Sequence, residues 1–138
     1  MNFHGWELLK LLAAYALALP IGWERERDER SAGIRTYPLV ALASCAYVLL
    51  ATRFLQSPEA NARVIQGLVQ AVGFLGAGAI IQQGATIHGT ATAASIFAMG
   101  AIGAAVAFGY WDGAIFLTVV VLATLRLLAP LKKEKNGK

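Results

Sequence analysis

The sequence predicts an all-α polytopic membrane protein, folded as a compact bundle of about five transmembrane helices. The chain of 138 residues is 57% hydrophobic and only 14% charged, which leaves too few polar side chains to cover a soluble domain of this size. The charged residues are also clustered, since eight of the 20 Asp, Glu, Lys and Arg residues lie between Glu24 and Arg35. Apolar runs long enough for a bilayer occupy most of the remaining chain.

The net charge of +4 does not indicate nucleic-acid binding. The basic residues lie beside apolar runs and form no stripe between aromatic side chains, whereas Lys and Arg next to membrane spans commonly set orientation. We therefore expect the lipid bilayer, and no nucleic acid, as a partner.

The single cysteine, Cys45, excludes an intramolecular disulfide. A small buried side chain is the main interpretation of Cys45, and a reactive thiol is the alternative.

The first predicted span runs roughly from Trp6 to Trp23, and its tryptophans suit the two membrane interfaces. At about 1.5 Å per residue this span covers about 27 Å, close to the hydrocarbon thickness. Glu7 and Lys10 share one helical face and can form an interfacial ion pair; a functional Lys10 that faces the bundle is the alternative. No basic region precedes this run, so we expect a retained helix and not a cleaved signal.

A polar stretch, Gly22–Thr36, follows the first span. Its four acidic and four basic residues balance, so a polybasic lipid-binding segment is not indicated. We expect a short helical extension beyond the membrane that ends at Gly33. Two interpretations remain open: a solvated loop that sets topology, or a docking or ion-sensing surface. The second interpretation assigns five residues to the functional loop: Glu24, Arg25, Glu26, Arg35 and Thr36.

The carboxylates of this stretch are the only ligands that the sequence suggests for a hard cation such as magnesium, which prefers oxygen. Glu24 and Glu26 are the weak candidates, with Asp28 and Glu29 nearby. Because neighbouring arginines compete for the same carboxylates, we expect no resident metal or other cofactor. We also expect no catalytic residues and no enzyme activity, since the sequence has no Ser-His-Asp set, metal quartet or phosphate-binding loop.

The second predicted span covers residues 37–55 and has Pro38 in its first turn, where a missing N–H is tolerated. A polar link then turns the chain back. The third predicted span, about residues 64–81, carries Gln66 and Gln70. Its later part is rich in glycine, which favours close helix packing; a broken helix that lines a cavity is the alternative. These helix-packing glycines are Gly73, Gly76 and Gly78.

The polar connection at residues 82–90 contains His88, which has no second His or Cys at metal-ligand spacing and is expected on the surface. The fourth predicted span, about residues 91–109, is dominated by small side chains and suits the middle of a bundle. Thr92 and Ser95 can bond to another helix, and Gly103 is expected at a helix contact. The fifth predicted span, about residues 114–130, is rich in β-branched and leucine side chains and suits a lipid-facing position.

Five spans place the termini on opposite sides of the membrane. The loop between the first two spans has four arginines and the tail has four lysines, whereas only Lys10, Arg53 and Arg63 lie near the other side. The positive-inside rule therefore predicts an N-terminus outside and a C-terminus in the cytosol. We divide the chain into a transmembrane domain at residues 1–131 and a short basic cytosolic tail at residues 132–138.

Three motifs follow one another along the chain. The first joins Gly22-x-Glu24-Arg25-Glu26 to Ala32-Gly33-Ile34-Arg35-Thr36, the second is Gly73-Phe74-Leu75-Gly76-Ala77-Gly78-Ala79-Ile80, and the third is Gly89-Thr90-Ala91-Thr92-Ala93-Ala94-Ser95 leading to Ala101-Ile102-Gly103. Together they resemble the MgtC/SapB family of membrane proteins.

The resemblance implies an integral, multi-pass protein of the bacterial inner membrane. Some members of that family are linked to growth in low magnesium and to survival inside host cells, through effects on membrane ATPases and membrane potential. Two differences from the family pattern concern the third motif and the C-terminus. The family commonly has Gly-Leu-Thr-Thr-Ala-Ala where this chain has Gly-Thr-Ala-Thr-Ala-Ala at residues 89–94. Its virulence-associated members also carry a soluble C-terminal domain after the helices, so the resemblance covers the transmembrane region.

Two functions follow as hypotheses. The first is a non-enzymatic regulator that binds a partner membrane protein, an ATPase or transporter, through its helices and the polar loop; a homo-oligomer is compatible with the same helix faces. The second is a small oligomeric cation transporter or channel, with magnesium as the implied ion. The sequence disfavours the second, because no Asp, Glu, Lys or Arg lies near the middle of a predicted span, where ion-coupling residues are usually found.

Overall fold

The computed structural model describes residues 4–27 and 32–131. Its elements in chain order are α1 (Gly5–Arg27), α2 (Thr36–Phe54), α3 (Pro58–Gly78), β1 (Ile81–Gln83), β2 (Thr86–His88), α4 (Thr90–Ala107) and α5 (Trp111–Leu127). The predicted all-α bundle of five helices is confirmed. The predicted basic tail at residues 132–138 lies outside the described residues.

Local signals in the sequence explain where two of the helices begin. α3 starts after Ser57, whose hydroxyl accepts a hydrogen bond from the Ala60 N–H at 3.3 Å, and Pro58 occupies the first helical position. α4 starts after Gly89, which has a φ of 90°. A Cβ at Gly89 would also collide with the carbonyl oxygen of Ala79, so the chain can enter α4 this way only with glycine.

Contacts at both ends of the bundle show the relative directions of α1 and α5. Trp6 near the start of α1 packs edge-on against Trp111 at the start of α5, with ring centroids 6.1 Å apart. Glu24 near the end of α1 pairs with Arg126 near the end of α5, with 2.7 Å between Oε2 and Nε. The two helices therefore run parallel.

α4 runs in the opposite direction to α1. Lys10, early in α1, donates to the carbonyl oxygen of Ala107 at the end of α4, whereas Arg25, late in α1, donates to Thr92 at the start of α4. The alternating helices leave the bundle with two distinct ends. We call the end at which α1 finishes and α2 begins the loop end, and the other the opposite end. The β1–β2 hairpin also lies at the loop end, because it joins the end of α3 to the start of α4.

α4 is the central helix and contacts each of the other four helices. Its small residues allow this arrangement. At Gly103, a Cβ would collide with the carbonyl oxygen of Ala41 in α2 and would lie 3.0 Å from the backbone nitrogen of Cys45. From the other side, Gly76 of α3 approaches the α4 backbone so closely that a Cβ there would lie 3.0 Å from the Ala93 carbonyl oxygen.

The outer surface of the bundle is strongly apolar, as expected for contact with lipid. Large side chains at least two-thirds exposed include Leu12, Phe74, Phe116 and Leu127. Four helices are long and apolar enough to cross a bilayer: α1, α2, α4 and the Trp111–Leu131 helix that contains α5. The protein is therefore a multi-pass membrane protein. α3 has 21 residues but does not belong to this set, because its sequence is more polar.

Two local features differ from the sequence-based expectations. No strands were predicted in the polar connection before α4, but Ile81 pairs with His88 and Gln83 with Thr86 in an antiparallel hairpin, which turns through Gly84 at a φ of 61°. His88 is exposed there, as expected for a surface residue.

The second difference concerns Glu7 and Lys10, for which an ion pair was expected. Glu7 pairs instead with Arg53 of α2 at 2.6 Å, and Lys10 donates to the Ala107 carbonyl at 2.7 Å. A cation at the C-terminal end of α4 is favourable because the last helical carbonyls lack partners of their own. Lys10 therefore faces the bundle.

Candidate functional site

Among the described residues of the loop end, Arg25 is the least exposed charged residue. It lies on the same helical face as Ala18, Ile21 and Gly22, all of which are buried. Only 5% of Arg25 is exposed, and its Nη2 donates to Thr92 Oγ1 at 2.8 Å. A buried cation must be hydrogen-bonded, or its desolvation is too costly. The first and third sequence motifs therefore meet through this contact.

A second buried hydrogen bond joins α2 to α4 beside Arg25. The hydroxyl oxygens of Tyr37 and Ser95 are 2.6 Å apart, and Ser95 Oγ lies 2.8 Å from the Ala91 carbonyl oxygen. Ser95 has one hydroxyl proton, so donation from Ser95 to Ala91 and from Tyr37 to Ser95 satisfies both groups. Thr92 and Ser95 thus each bond to a different neighbouring helix.

Gly22 allows the loop and α2 to approach α1 at this site. A Cβ at Gly22 would lie 3.0 Å from the Cα of Ile34, 3.2 Å from the Gly33 carbonyl oxygen and 3.3 Å from the Cβ of Tyr37. A larger side chain would push the start of α2 away and would lengthen the Tyr37–Ser95 contact. Gly22 therefore supports the geometry of the polar site.

Glu24 forms an ion pair that the sequence analysis did not anticipate. Its side chain is only 8% exposed, whereas that of Arg126 is 52% exposed. The sequence indicated only that Arg126 is basic and near the end of a span. Its partner is 102 residues away, and no pattern in the sequence relates the two positions.

Glu26 stabilises the return of the chain toward α2. Its Oε2 accepts the Ile34 N–H at 3.2 Å. A Cβ at Gly33 would collide with this carboxylate oxygen, so glycine leaves room for the contact. Thr36 then begins α2, with its N–H bonded to the Gly33 carbonyl at 3.0 Å. Arg35 projects from this segment and is exposed.

The structure therefore divides the five predicted loop residues into two groups. Glu24 and Arg25 belong to α1 and are buried; Glu26 and Arg35 are exposed, and Thr36 is half-buried. The exposed residues form the accessible surface of the loop end. The buried ones hold that surface on the bundle.

The weak metal candidates Glu24 and Glu26 are both engaged, the first by Arg126 and the second by the Ile34 N–H. Across residues 4–27 and 32–131, no group of three or more His, Cys, Asp or Glu side chains is arranged to hold a metal ion. Asp28 and Glu29, the other predicted oxygen ligands, lie outside these ranges.

The glycines assigned to helix packing differ in their surroundings. Gly76 and Gly103 lie directly against neighbouring backbone, as described above. A Cβ at Gly73 would be 3.9 Å from the Phe97 ring, which is ordinary contact, and one at Gly78 would meet no atom within 4 Å. α4 thus receives close backbone contacts from α2 and α3, in addition to the polar contacts of Thr92 and Ser95.

Comparison with known proteins places these motifs in a family context. A family model described as the MgtC family matches residues 11–134. The chain is 36% identical over 129 residues to Protein MgtC of Salmonella typhimurium strain LT2. The aligned region covers 94% of this chain and 55% of that protein. Protein MgtC of Brucella abortus strain 2308 is 35% identical over 121 residues, and this alignment covers 88% of this chain and 50% of that protein.

The chain spans about half the length of the curated relatives it matches. The matched region includes α1 from residue 11, the polar loop, all later helices and the hairpin. No solved structure matches the chain.

Proposed function

Because this chain belongs to the MgtC family, we propose that it is a non-enzymatic membrane protein that modulates a partner ATPase or transporter in the bacterial inner membrane. The contact surface is the loop end, with Glu26, Arg35 and Thr36 accessible to the partner. The resemblance noted from the sequence adds a link to magnesium homeostasis, membrane potential and adaptation to stress or to a host. In this proposal the loop end faces the cytosol.

One observation carries the proposal: buried polar contacts attach the residues at both ends of the polar loop to α4 and α5. Arg25 bonds to α4, Glu24 pairs with α5, and Tyr37 bonds to Ser95 of α4. A solvated loop that only set topology would need arginines near the membrane and no such attachments. A surface held in one conformation loses less entropy when a partner binds it, which favours recognition.

The described core is compatible with a regulator, because its buried polar groups contribute to the packing of the helices. Ser44 and Thr118 are buried hydroxyls of the helices, and each donates to a carbonyl oxygen of its own helix, Val40 or Ala114. These hydroxyl protons therefore satisfy local backbone. The buried charge of Glu24 is balanced by Arg126. The contacts of Ser44, Thr118 and Glu24 therefore support a role in helix packing.

The proposal can be tested by cross-linking the full chain in native bacterial membranes and identifying the attached protein. Arg27 and Arg35 are the positions to reverse because both are exposed, whereas reversal of buried Arg25 would disrupt the fold. We expect R27E with R35E to reduce recovery of the cross-linked partner by about tenfold, which corresponds to about 1.4 kcal/mol of lost contact.

Asp112 provides the matched control, because it is exposed and lies at the opposite end of the bundle. D112K also reverses charge and should leave partner recovery unchanged, while membrane insertion stays normal in both variants. Equal recovery from the Arg27 and Arg35 variant would contradict docking at the loop end. Saturable magnesium flux into liposomes that contain only the purified chain would contradict the regulator and favour the transporter.

A further inference from the structure

α3 has a polar face that points away from the rest of the bundle. Glu59, Arg63, Gln66 and Gln70 follow one another at intervals of four, three and four residues, so they lie along one side of the helix. All four are exposed. The side of α3 that contacts α4 carries Val72 and Gly76 instead. We call the row from Glu59 to Gln70 the outer face of α3.

The position of α3 beside α4 shows the depth of this face. Val72 lies against Gly100, and Gly76, one turn later, lies against Ala93 near the start of α4. The two helices are therefore antiparallel neighbours. Since α4 is long and apolar enough to cross a bilayer, α3 lies at the same depth. Its 21 residues extend about 30 Å at 1.5 Å per residue, the thickness of the hydrocarbon.

Gln66 and Gln70 flank the middle of α3, so their amides lie close to the centre of the bilayer. A primary amide has two N–H donors and a carbonyl acceptor. Within residues 4–27 and 32–131, neither amide makes a hydrogen bond to the protein. Lipid tails offer no hydrogen-bonding groups, so both amides need partners from outside the described part of this chain.

We infer that the outer face of α3 binds the same face of a second copy of this chain, as a symmetric dimer with its two-fold axis along the membrane normal. The amide chemistry favours a second copy because each Gln both donates and accepts. An identical Gln at the same depth is therefore a complementary partner. Interhelical hydrogen bonds between Gln side chains are a known source of helix association in membranes.

Charge and shape are compatible with this symmetric contact. Glu59 and Arg63 are one helical turn apart and opposite in sign, so the outer face of α3 carries no net charge that would repel an identical face. Gly67, next to Gln66, has no atom within 4 Å of an added Cβ, so the protein leaves this side of α3 open. The dimer uses α3 and leaves the loop surface around Arg35 available to another protein.

Disulfide cross-linking in native membranes tests the inference directly. In a C45A background, Q66C and Q70C each place a thiol on the proposed two-fold axis, and F116C places one on the exposed side of α5 as a matched control. We expect copper-phenanthroline to convert Q66C and Q70C into covalent dimers at least about tenfold more efficiently than F116C, because the effective concentration at an interface is far higher.

Three results would overturn the inference. Preferential dimerisation of F116C would place the second copy on another helix. A cross-linked product from Q70C with the mass of this chain plus a different protein would show a heterologous partner. Labelling of Q70C by a membrane-impermeant maleimide, without cross-linking, would show that the outer face of α3 lines a water-filled space.

An association measurement on purified full-length chain gives independent support. Q66L with Q70L removes the amides but retains apolar bulk, and should raise the dissociation constant of the dimer by about tenfold in lipid nanodiscs or liposomes. T52V with T124V is the control, since both hydroxyls are exposed and bond within their own helices. Unchanged association in the glutamine variant would overturn the role of the amides.

Discussion

At the residue scale, Arg25 and Thr92 explain how two distant motifs act as one site. Arg25 is buried beside the end of α1, and its guanidinium donates to the Thr92 hydroxyl at the start of α4. The Tyr37 hydroxyl oxygen, whose proton bonds to Ser95, also lies 3.3 Å from the Thr92 carbonyl oxygen. A substitution at any of these positions therefore disturbs contacts among three helices.

Thr92→Val tests this contact with little change of side-chain shape. It removes one acceptor of the buried Arg25 cation, so we expect a loss of about 1–2 kcal/mol of stability. The measurement is the midpoint of thermal unfolding of the purified protein in detergent. Thr118→Val is the matched control, because Thr118 is also buried but bonds only to its own helix through the Ala114 carbonyl.

We expect Thr118→Val to change the unfolding midpoint much less than Thr92→Val. Equal effects of the two substitutions would show that the Arg25–Thr92 bond adds nothing beyond the burial of a threonine. In native membranes, Thr92→Val should also lower recovery of the cross-linked partner, because the polar loop loses one of its attachments to α4.

At the element scale, the position of α4 depends on small residues at helix contacts. Gly103 lies against the α2 backbone at Ala41 and Cys45, and Gly76 of α3 lies against Ala93. Close backbone approach of this kind allows dense packing where the hydrophobic effect contributes little between helices in lipid. α4 can therefore contact four neighbours at once.

Gly103→Ala should be strongly destabilising for this reason. The added methyl group collides with the Ala41 carbonyl oxygen, so α2 and α4 must separate, at a cost of about 1–3 kcal/mol. Gly78→Ala is the matched control, because a Cβ there meets no atom within 4 Å. It should change stability by less than about 1 kcal/mol, and in the stabilising direction if the residue stays helical.

Thermal unfolding in detergent again provides the comparison. If Gly103→Ala were as stable as the parent protein, the α2–α4 spacing would not depend on this glycine. The same pair of variants also separates packing from helix propensity, since both replace a helical glycine with alanine.

At the scale of the whole molecule, the alternation of five helices places the hairpin and the polar loop at the same end. Gln56, between α2 and α3, lies at the opposite end, and Gln83 lies in the hairpin. Combined with the positive-inside rule, this arrangement predicts that Gln83 faces the cytosol and Gln56 the outside.

Cysteine labelling tests this orientation in the C45A background. A membrane-impermeant maleimide should label Q56C in intact spheroplasts, whereas Q83C should require permeabilisation of the membrane. Labelling of both positions from the outside would contradict the alternating arrangement of α3. Labelling of Q83C but not Q56C would reverse the predicted orientation and move the loop surface out of the cytosol.

The sequence by itself determined the class of the protein, the number of helices and their approximate positions. Apolar runs and the polar breaks between them depend on composition and spacing along the chain, so each helix could be located approximately. The start of α3 was missed: the helix begins at Pro58, whereas the predicted span began at residue 64, because the helix extends into the polar link that Ser57 caps. The motifs around Glu24, Gly76 and Thr92 could also be recognised, because the residues of each motif lie close together in the sequence.

Only the tertiary structure decided which side chains meet. Glu24 and Arg126 are separated by 102 residues, and Arg25 and Thr92 by 67, so local periodicity cannot relate them. The rotation of each helix about its own axis sets these pairs. It buries Arg25, turns Lys10 toward Ala107 and leaves Gln66 and Gln70 on the outer face of α3. That rotation follows from packing against neighbouring helices, which no single stretch of sequence specifies.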